Sequence, residues 1–348
     1  MSFFPESASP ARRRTVGIWL LCLLAMVFGA VVLGGFTRLT GSGLSMADWR
    51  PITGWLPPLS DAEWRRMFDL YRETPQFRHI NYDMTVETFR SIFWLEYIHR
   101  LWGRLMGVVF LFPFLFFVVR GYIERPLIGR IGLLFVLGGL QGVLGWLMVA
   151  SGLIDHPEVS QYRLVTHLGA AMLIFVYMLW LALTLLGGEA RTKPVAEPLR
   201  PLARFTVFVI GWIVLTMLAG GFVAGLDAGF TYNTFPLMDG RWIPEGSFGS
   251  WLAPFEDIPT VQFNHRVVAI TAVILITLLW IRARRMLPAG RHLNVFHGLI
   301  LAVFAQAALG ITTLLLVVPT PLGAAHQAMA FILLAVVVWA RHTLSRAT

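Results

Sequence analysis

The sequence predicts an all-α integral membrane protein, and three observations lead to this fold class. Hydrophobic residues make up 57% of the 348 residues, whereas charged residues make up only 14%. The mean hydropathy of +0.69 is far from that of a soluble domain. Apolar runs of about the length that a helix needs to cross the hydrocarbon core recur along the whole chain. We therefore predict a bundle of eight transmembrane helices.

The apolar runs are separated by polar connections whose charge alternates. The runs cover residues 17–36, 93–119, 129–150, 164–186, 204–225, 262–281, 293–318 and 322–340. Sixteen of the 28 basic residues, with only four acidic ones, lie on the side of the amino terminus. Such a bias marks the cytoplasmic side, so we expect both termini to be cytoplasmic. It also accounts for the net charge of +9 without a nucleic-acid partner.

The second half of the chain repeats landmarks of the first half. Offsets of 166, 165 and 159 residues relate three pairs of residues, which are His99 and His265, Gln141 and Gln306, and His167 and His326. A nearly constant offset indicates a duplicated unit of four helices. We predict two tandem four-helix bundles, residues 1–190 and 191–348. Since each unit crosses the membrane an even number of times, a pseudo-two-fold axis along the membrane normal should relate them.

Four histidines are predicted to lie at one depth in the membrane. His99, His167, His265 and His326 each follow the outer start of an even-numbered run by four to seven residues, which corresponds to roughly 6 to 10 Å. Two imidazoles at equal height in a four-helix unit can bind a porphyrin iron from both faces. We predict one site from His99 and His167 and a second from His265 and His326.

Small residues one turn beyond these histidines would leave room for a flat macrocycle. They are Gly103, Ala170, Ala171, Ala269 and Ala330. Two alternatives are weighed against the porphyrin sites. Hydrogen-bonded core histidines would not explain the repeat, and zinc would need further ligands that neither half supplies.

One acidic residue distinguishes the two halves. Glu96 precedes His99 by three residues and so shares its helix face, whereas the equivalent residue in the second half is Gln262. This difference indicates chemistry in the first half and electron storage in the second. Glu96 is interpreted as a desolvated proton acceptor or, alternatively, as the ion-pair partner of Arg100 or Arg104.

The arginines Arg100 and Arg266 directly follow two of the histidines. Each could contact a porphyrin propionate or mark a snorkelling position at the interface. The remaining histidines, at positions 79, 156, 292, 297 and 342, lie away from the common depth and are interpreted as surface or interfacial residues.

Three further segments complete the interpretation. Residues 60–71 begin with a capping box and carry apolar residues on one face, which predicts an amphipathic helix on the bilayer surface or, alternatively, one packed across the bundle mouth. Cys22 is the single cysteine, and we expect it to be a small core residue. The short basic leader indicates an uncleaved anchor in a bacterial plasma membrane.

Taken together, the histidine segments resemble the heme A synthase family, in the branch that includes the mitochondrial enzyme. The resemblance covers nearly the whole chain and rests on Glu96-Tyr97-Ile98-His99-Arg100, Thr166-His167, Asn264-His265-Arg266 and Ala325-His326-Gln327. It implies an oxidoreductase that converts a ring methyl of heme O to hydroxymethyl and then formyl, giving heme A for terminal oxidases. The cysteine pair that some bacterial members carry in the first outer loop is absent here.

The resemblance also implies roles for the candidate residues. His265 and His326 would bind a permanent heme b, His99 and His167 would face the substrate heme, and Glu96 would be the catalytic carboxylate. Heme O synthase, an electron acceptor and a homo-oligomer are the implied partners, besides membrane lipid. A diheme b-type electron carrier, or a heme-handling protein without ring chemistry, is the alternative. Electron carriers usually place hemes near both faces, whereas both sites here are predicted on one side.

Overall fold

The computed structural model describes residues 8–48, 53–153 and 158–347, and within these ranges the fold is helical. The α-helices are α1 (Pro10–Leu39), α2 (Asp61–Arg72), α3 (Pro75–His79), α4 (Val86–Val119), α5 (Arg125–Ser151), α6 (Gln161–Leu186), α7 (Arg200–Gly225), α8 (Ala253–Glu256), α9 (Ile258–Met286), α10 (Arg291–Leu315) and α11 (Thr320–Thr343).

Eight of the described helices are long and apolar enough to cross a membrane, which confirms the prediction of a multi-pass membrane protein. They are α1, α4, α5, α6, α7, α9, α10 and α11. Several extend beyond the apolar runs because polar residues cap their ends. The Thr85 hydroxyl accepts from the backbone of Thr88 and starts α4 well before residue 93, while Asp257 caps α9 through Thr260.

The spanning helices pack as two groups of four. In the first group α1 contacts α4 and α6, and α5 contacts α6. In the second group α7 contacts α9 and α11, and α10 contacts both α9 and α11. Between the groups, α1 packs on α11, α6 on α7, and α6 on α11. These contacts fit two related four-helix units, although the pseudo-two-fold axis and the domain boundary at residue 190 stay predictions.

The interface between the groups is tightly packed. Phe175 of α6 and Phe331 of α11 meet edge to face with ring centroids 5.2 Å apart. Both rings are nearly inaccessible to solvent. In a bilayer such packing, rather than removal of apolar surface from water, holds helices together.

The side-chain position predicted for Cys22 is wrong, since it is exposed on the outer surface of α1. The helical period decides this, because the neighbouring Leu20, Leu23 and Leu24 occupy the inward face. Of the remaining histidines, His297 and His342 have local partners, and His342 is buried rather than at the surface. His297 accepts from Trp280 (2.9 Å), and His342 bonds Thr184 (3.1 Å). His156 lies outside the described residues.

Helix α2 does form, with the predicted capping box between Ser60 and Glu63, but its predicted position on the bilayer surface is wrong. Its apolar face is buried against α4. The rings of Trp64 and Phe93 lie 4.9 Å apart, and those of Tyr71 and Phe89 stack at 5.1 Å. Because α4 extends past the apolar run, it offers aromatic rings that the helix covers in preference to lipid.

Candidate functional site

The four histidines are packed in equivalent ways, each ring against a glycine of the neighbouring helix. We call this glycine the seat of the histidine. A Cβ on Gly34 of α1 would lie 3.2 Å from Cε1 of His99, and one on Gly145 of α5 would lie 3.1 Å from Cε1 of His167. The corresponding distances are 3.0 Å between Gly220 and His265 and 2.6 Å between Gly310 and His326. Only glycine lets the imidazole lie this close to the adjacent backbone. The sequence shows these glycines, but local pattern alone assigns them to helix packing.

The glycines also set a common depth for the rings. Gly34, Gly220 and Gly310 lie five residues before the ends of their helices, and Gly145 lies six residues before the end of α5. At about 1.5 Å per residue, the rings sit roughly 8 to 9 Å inside the bundle. We call this end of the bundle the histidine end, and the opposite end, where α1 begins and α11 ends, the terminus end.

The histidines are paired within each half. In the first half, α4 with His99 and α6 with His167 both pack against α1 and α5; in the second half, α9 with His265 and α11 with His326 both pack against α7 and α10. Nδ1 of all four rings is buried and has no hydrogen-bond partner among the described residues. Among the other ring nitrogens, Nε2 of His167 lies 3.4 Å from the Gln141 amide nitrogen.

Glutamines repeat beside one histidine of each pair. The Gln141 amide donates to the backbone oxygen of His167 (2.9 Å), and the Gln306 amide donates to that of His326 (3.2 Å). Oε1 of both glutamines is buried without a partner within the described ranges. Each half therefore holds buried polar atoms that no described residue pairs, and the same residue types recur in both halves.

Such paired imidazoles fit a porphyrin iron better than a bare metal ion. A porphyrin supplies four nitrogen ligands itself and needs only axial donors from the protein. Zinc would need three or four protein ligands, and the described part of the chain contains no group of three or more His, Cys, Asp or Glu that could hold a metal ion.

Glu96 fastens the segment after α1 to α4. One carboxylate oxygen accepts from the Ser45 hydroxyl (2.7 Å) and from the Met46 backbone N–H (2.7 Å). The other oxygen accepts from Arg100, which also donates to the Met46 carbonyl (3.0 Å). Glu96 is only 2% exposed. Of the two readings offered by the sequence, the ion pair with Arg100 is present.

Gln262 makes the equivalent fastening in the second half without a charge. Its amide donates to the carbonyls of Ala228 (2.7 Å) and Thr231 (2.6 Å), and its oxygen accepts from Arg266 (3.0 Å). Arg266 also donates to the Tyr232 carbonyl (2.6 Å). Both halves thus hold a loop over the histidine pair in the same way, and they differ in the carboxylate of the first half.

The loop contacts use most of the donors of the two arginines. Nη1 of Arg100 and Nε of Arg266 are buried and have no partner among the described residues. These donors are suited to an anionic group, so contact with porphyrin propionates stays a prediction.

Residues adjacent to the histidine seats connect the two halves. Gly35, next to the seat of His99, lies against Gln327, the neighbour of His326. Gln327 donates to the Val31 carbonyl of α1 (3.0 Å). In the second half, Gly221 lies against Leu168, the neighbour of His167. The double glycines of α1 and α7 therefore contact both sites, which no local sequence pattern reveals.

The fold and the site define a multi-pass helical membrane protein with two interior histidine pairs suited to porphyrins. Residues 17–338 match the COX15-CtaA family, described as cytochrome oxidase assembly protein, and the chain belongs to this family. It is 45% identical to a heme A synthase of Nitrosospira multiformis, over 99% of this chain and 100% of that protein. A Granulibacter bethesdensis heme A synthase is 48% identical (97% and 90% covered). Heme A synthase COX15 of Bos taurus is 44% identical (97% and 84%).

Proposed function

We propose that this protein oxidises a ring methyl of heme O to hydroxymethyl and then to formyl, yielding heme A for terminal oxidases. The relatives named heme A synthase support this reaction. The observation that carries the assignment of the site is the difference between Glu96 and Gln262 in two otherwise repeated pockets. In this proposal, His99 and His167 face the substrate heme, and Glu96 lies beside it.

In the second half, His265 and His326 would bind a resident heme b. Both rings pack against glycines of neighbouring helices, and two imidazoles in one four-helix unit fit the two faces of such a group. When bound, heme b would supply one-electron transfer between the substrate site and an external acceptor. The contacts of Gly35 with Gln327 and of Gly221 with Leu168 would hold the two sites in a fixed position relative to each other.

Glu96 is the acidic residue of the first half that shares a helix face with His99. Oxidation of a methyl to a formyl group, with water supplying the oxygen atom and the electron acceptor taking up the electrons, releases protons, and a positioned carboxylate is a general base. The Ser45 hydroxyl and the Met46 N–H orient the carboxylate. Arg100 bonds both Glu96 and the Met46 carbonyl, so the carboxylate and its loop move as one unit.

The basic residues at the terminus end support a cytoplasmic location for both termini, in a bacterial plasma membrane. The histidine end would then face away from the cytoplasm. Membrane lipid, heme O synthase, an electron acceptor and a second copy of the chain complete the proposed set of partners.

The proposal is tested by E96Q, with S45A as the matched control. Glutamine keeps the size of the side chain but is not a general base; its oxygen can still accept from Ser45 and Met46, whereas its NH2 group cannot accept from Arg100. We expect E96Q to retain heme b and to form no heme A, measured by mass analysis of porphyrins extracted from cells that supply heme O.

S45A removes one hydrogen bond to the carboxylate and leaves the base in place, so it should retain much of the activity. Wild-type heme A production by E96Q would refute the catalytic role. Equal loss in E96Q and S45A would instead assign Glu96 to holding the loop.

A further inference from the structure

The two halves differ in how closely their second and third spanning helices approach. Helices α9 and α10 of the second half pack along each other, whereas α4 and α5 of the first half make few contacts. Helices α4 and α5 still meet at Phe110 and Phe135, whose ring centroids lie 5.5 Å apart, but nearer the histidine end they pack less closely than α9 and α10.

Glycines recur in this region on the faces that also carry the histidine site. Gly103 and Gly107 follow His99 by one and two helical turns on α4, and Gly138 and Gly142 precede the seat glycine Gly145 on α5. All four are exposed. No atom of a packing neighbour in the described structure lies within 4 Å of where their Cβ would be.

The second half fills the equivalent space with side chains. The offsets between the halves pair Gly107 with Val273 and Gly138 with Val303. Val303 is 2% exposed, and Val273 packs against the hydrophobic core. The first half is therefore more open at these positions than its own repeat.

The glycines begin one helical turn from His99 and end before Phe110 and Phe135, whose rings meet at 5.5 Å. From His99 to Gly107 the distance along α4 is about 12 Å. The paired rings of His99 and His167, with buried and unpartnered Nδ1 atoms in the described structure, mark a ligand position at the histidine end of these glycines. We call the space lined by Gly103, Gly107, Gly138 and Gly142 the tail groove.

We propose that the tail groove receives the isoprenoid chain of heme O while the porphyrin lies between His99 and His167. This inference rests on the proposed function. Heme b lacks that chain, so the filled second half suits heme b and the open first half suits heme O. The groove is apolar and opens to lipid, which lets an amphiphilic substrate enter sideways with its chain in hydrocarbon throughout. Gly107 and Gly138 are then specificity-determining residues.

The test fills the groove with the residues of the second half, as G107V/G138V. The matched control is G211V/G298V, because these glycines of the second half are also exposed and also lack neighbours within 4 Å in the described structure. Purified proteins that retain their resident heme b are titrated with heme O and with heme b in the same detergent, and binding to the first half is followed by absorption.

We expect wild type and control to prefer heme O over heme b, and the groove variant to lose about tenfold or more in heme O affinity with heme b binding unchanged. This is the size of effect expected when side chains are forced into occupied space. Retained heme b in the second half shows that the bundle is folded. If the valines reduce expression, G107A/G138A gives the same comparison with less bulk.

The groove proposal is overturned if the groove variant keeps the wild-type preference for heme O, or if the control loses it equally. Detergent or lipid alone in the groove would give the first of these results. A failure of the proposed function would give a different result. The wild-type protein would then bind heme O in preference to heme b but would not convert it to heme A. If G107V/G138V kept the wild-type heme A production and the wild-type KM for heme O, only the groove proposal would be overturned.

Discussion

Because His326 packs against Gly310, we predict that one added methyl group at Gly310 empties the proposed heme site of the second half. An alanine Cβ there would lie 2.6 Å from Cε1 of His326, whereas ordinary contacts begin at 3.4 Å. The ring must therefore move by close to 1 Å. Gly220 is less severe, because a Cβ would lie 3.0 Å from Cε1 of His265. Overpacking of this kind costs about 1 to 3 kcal/mol, or roughly five- to 150-fold in affinity.

We expect G310A to purify with little heme b and G220A with an intermediate amount, measured as heme b per polypeptide after extraction. The control is G298A on the same helix, where a methyl group meets no neighbour within 4 Å in the described structure. Full heme b content in G310A, or the same loss in G298A, would contradict the assignment of Gly310 as the seat of a ligand histidine.

Three other substitutions test the framework around the sites. Burial raises the pKa of Tyr71. The stability that the buried neutral phenol contributes is therefore fully present below about pH 10 and is lost as the pH rises further. Y71F, which leaves the Gln76 oxygen without its 3.0 Å bond, should cost about 1 to 3 kcal/mol, seen as faster proteolysis of residues 60–85. Q327L removes the bond to the Val31 carbonyl and should lower the free energy of unfolding by about 1 kcal/mol. D227N removes the exposed ion pair between Arg38 and Asp227 at 2.9 Å and should change the free energy of unfolding by less than about 1 kcal/mol. A larger loss would show that this ion pair holds the two halves together.

Local sequence information was sufficient for the membrane class and the eight helices, whereas the choice of four histidines as ligands stays a prediction. Hydropathy over about 20 residues determines whether a segment spans a bilayer, whatever its neighbours are. The repeat offsets then indicated which histidines are equivalent. The same information left α2 either on the bilayer surface or packed against the bundle, of which packing on protein is observed, and it placed Cys22 wrongly in the core, because an apolar face shows that a residue is covered but not by what.

The sequence by itself determined that the first half carries Glu96 where the second carries Gln262, and that small residues follow the histidines. Only the tertiary structure decided that both residues bind a loop and that each histidine packs against a glycine of another helix. It also decided that α4 and α5 pack less closely than α9 and α10. The physical reason is the range of the forces involved. Helix formation and membrane insertion depend on residues close in the chain, whereas hydrogen-bond partners and packing distances depend on residues brought together only by the fold.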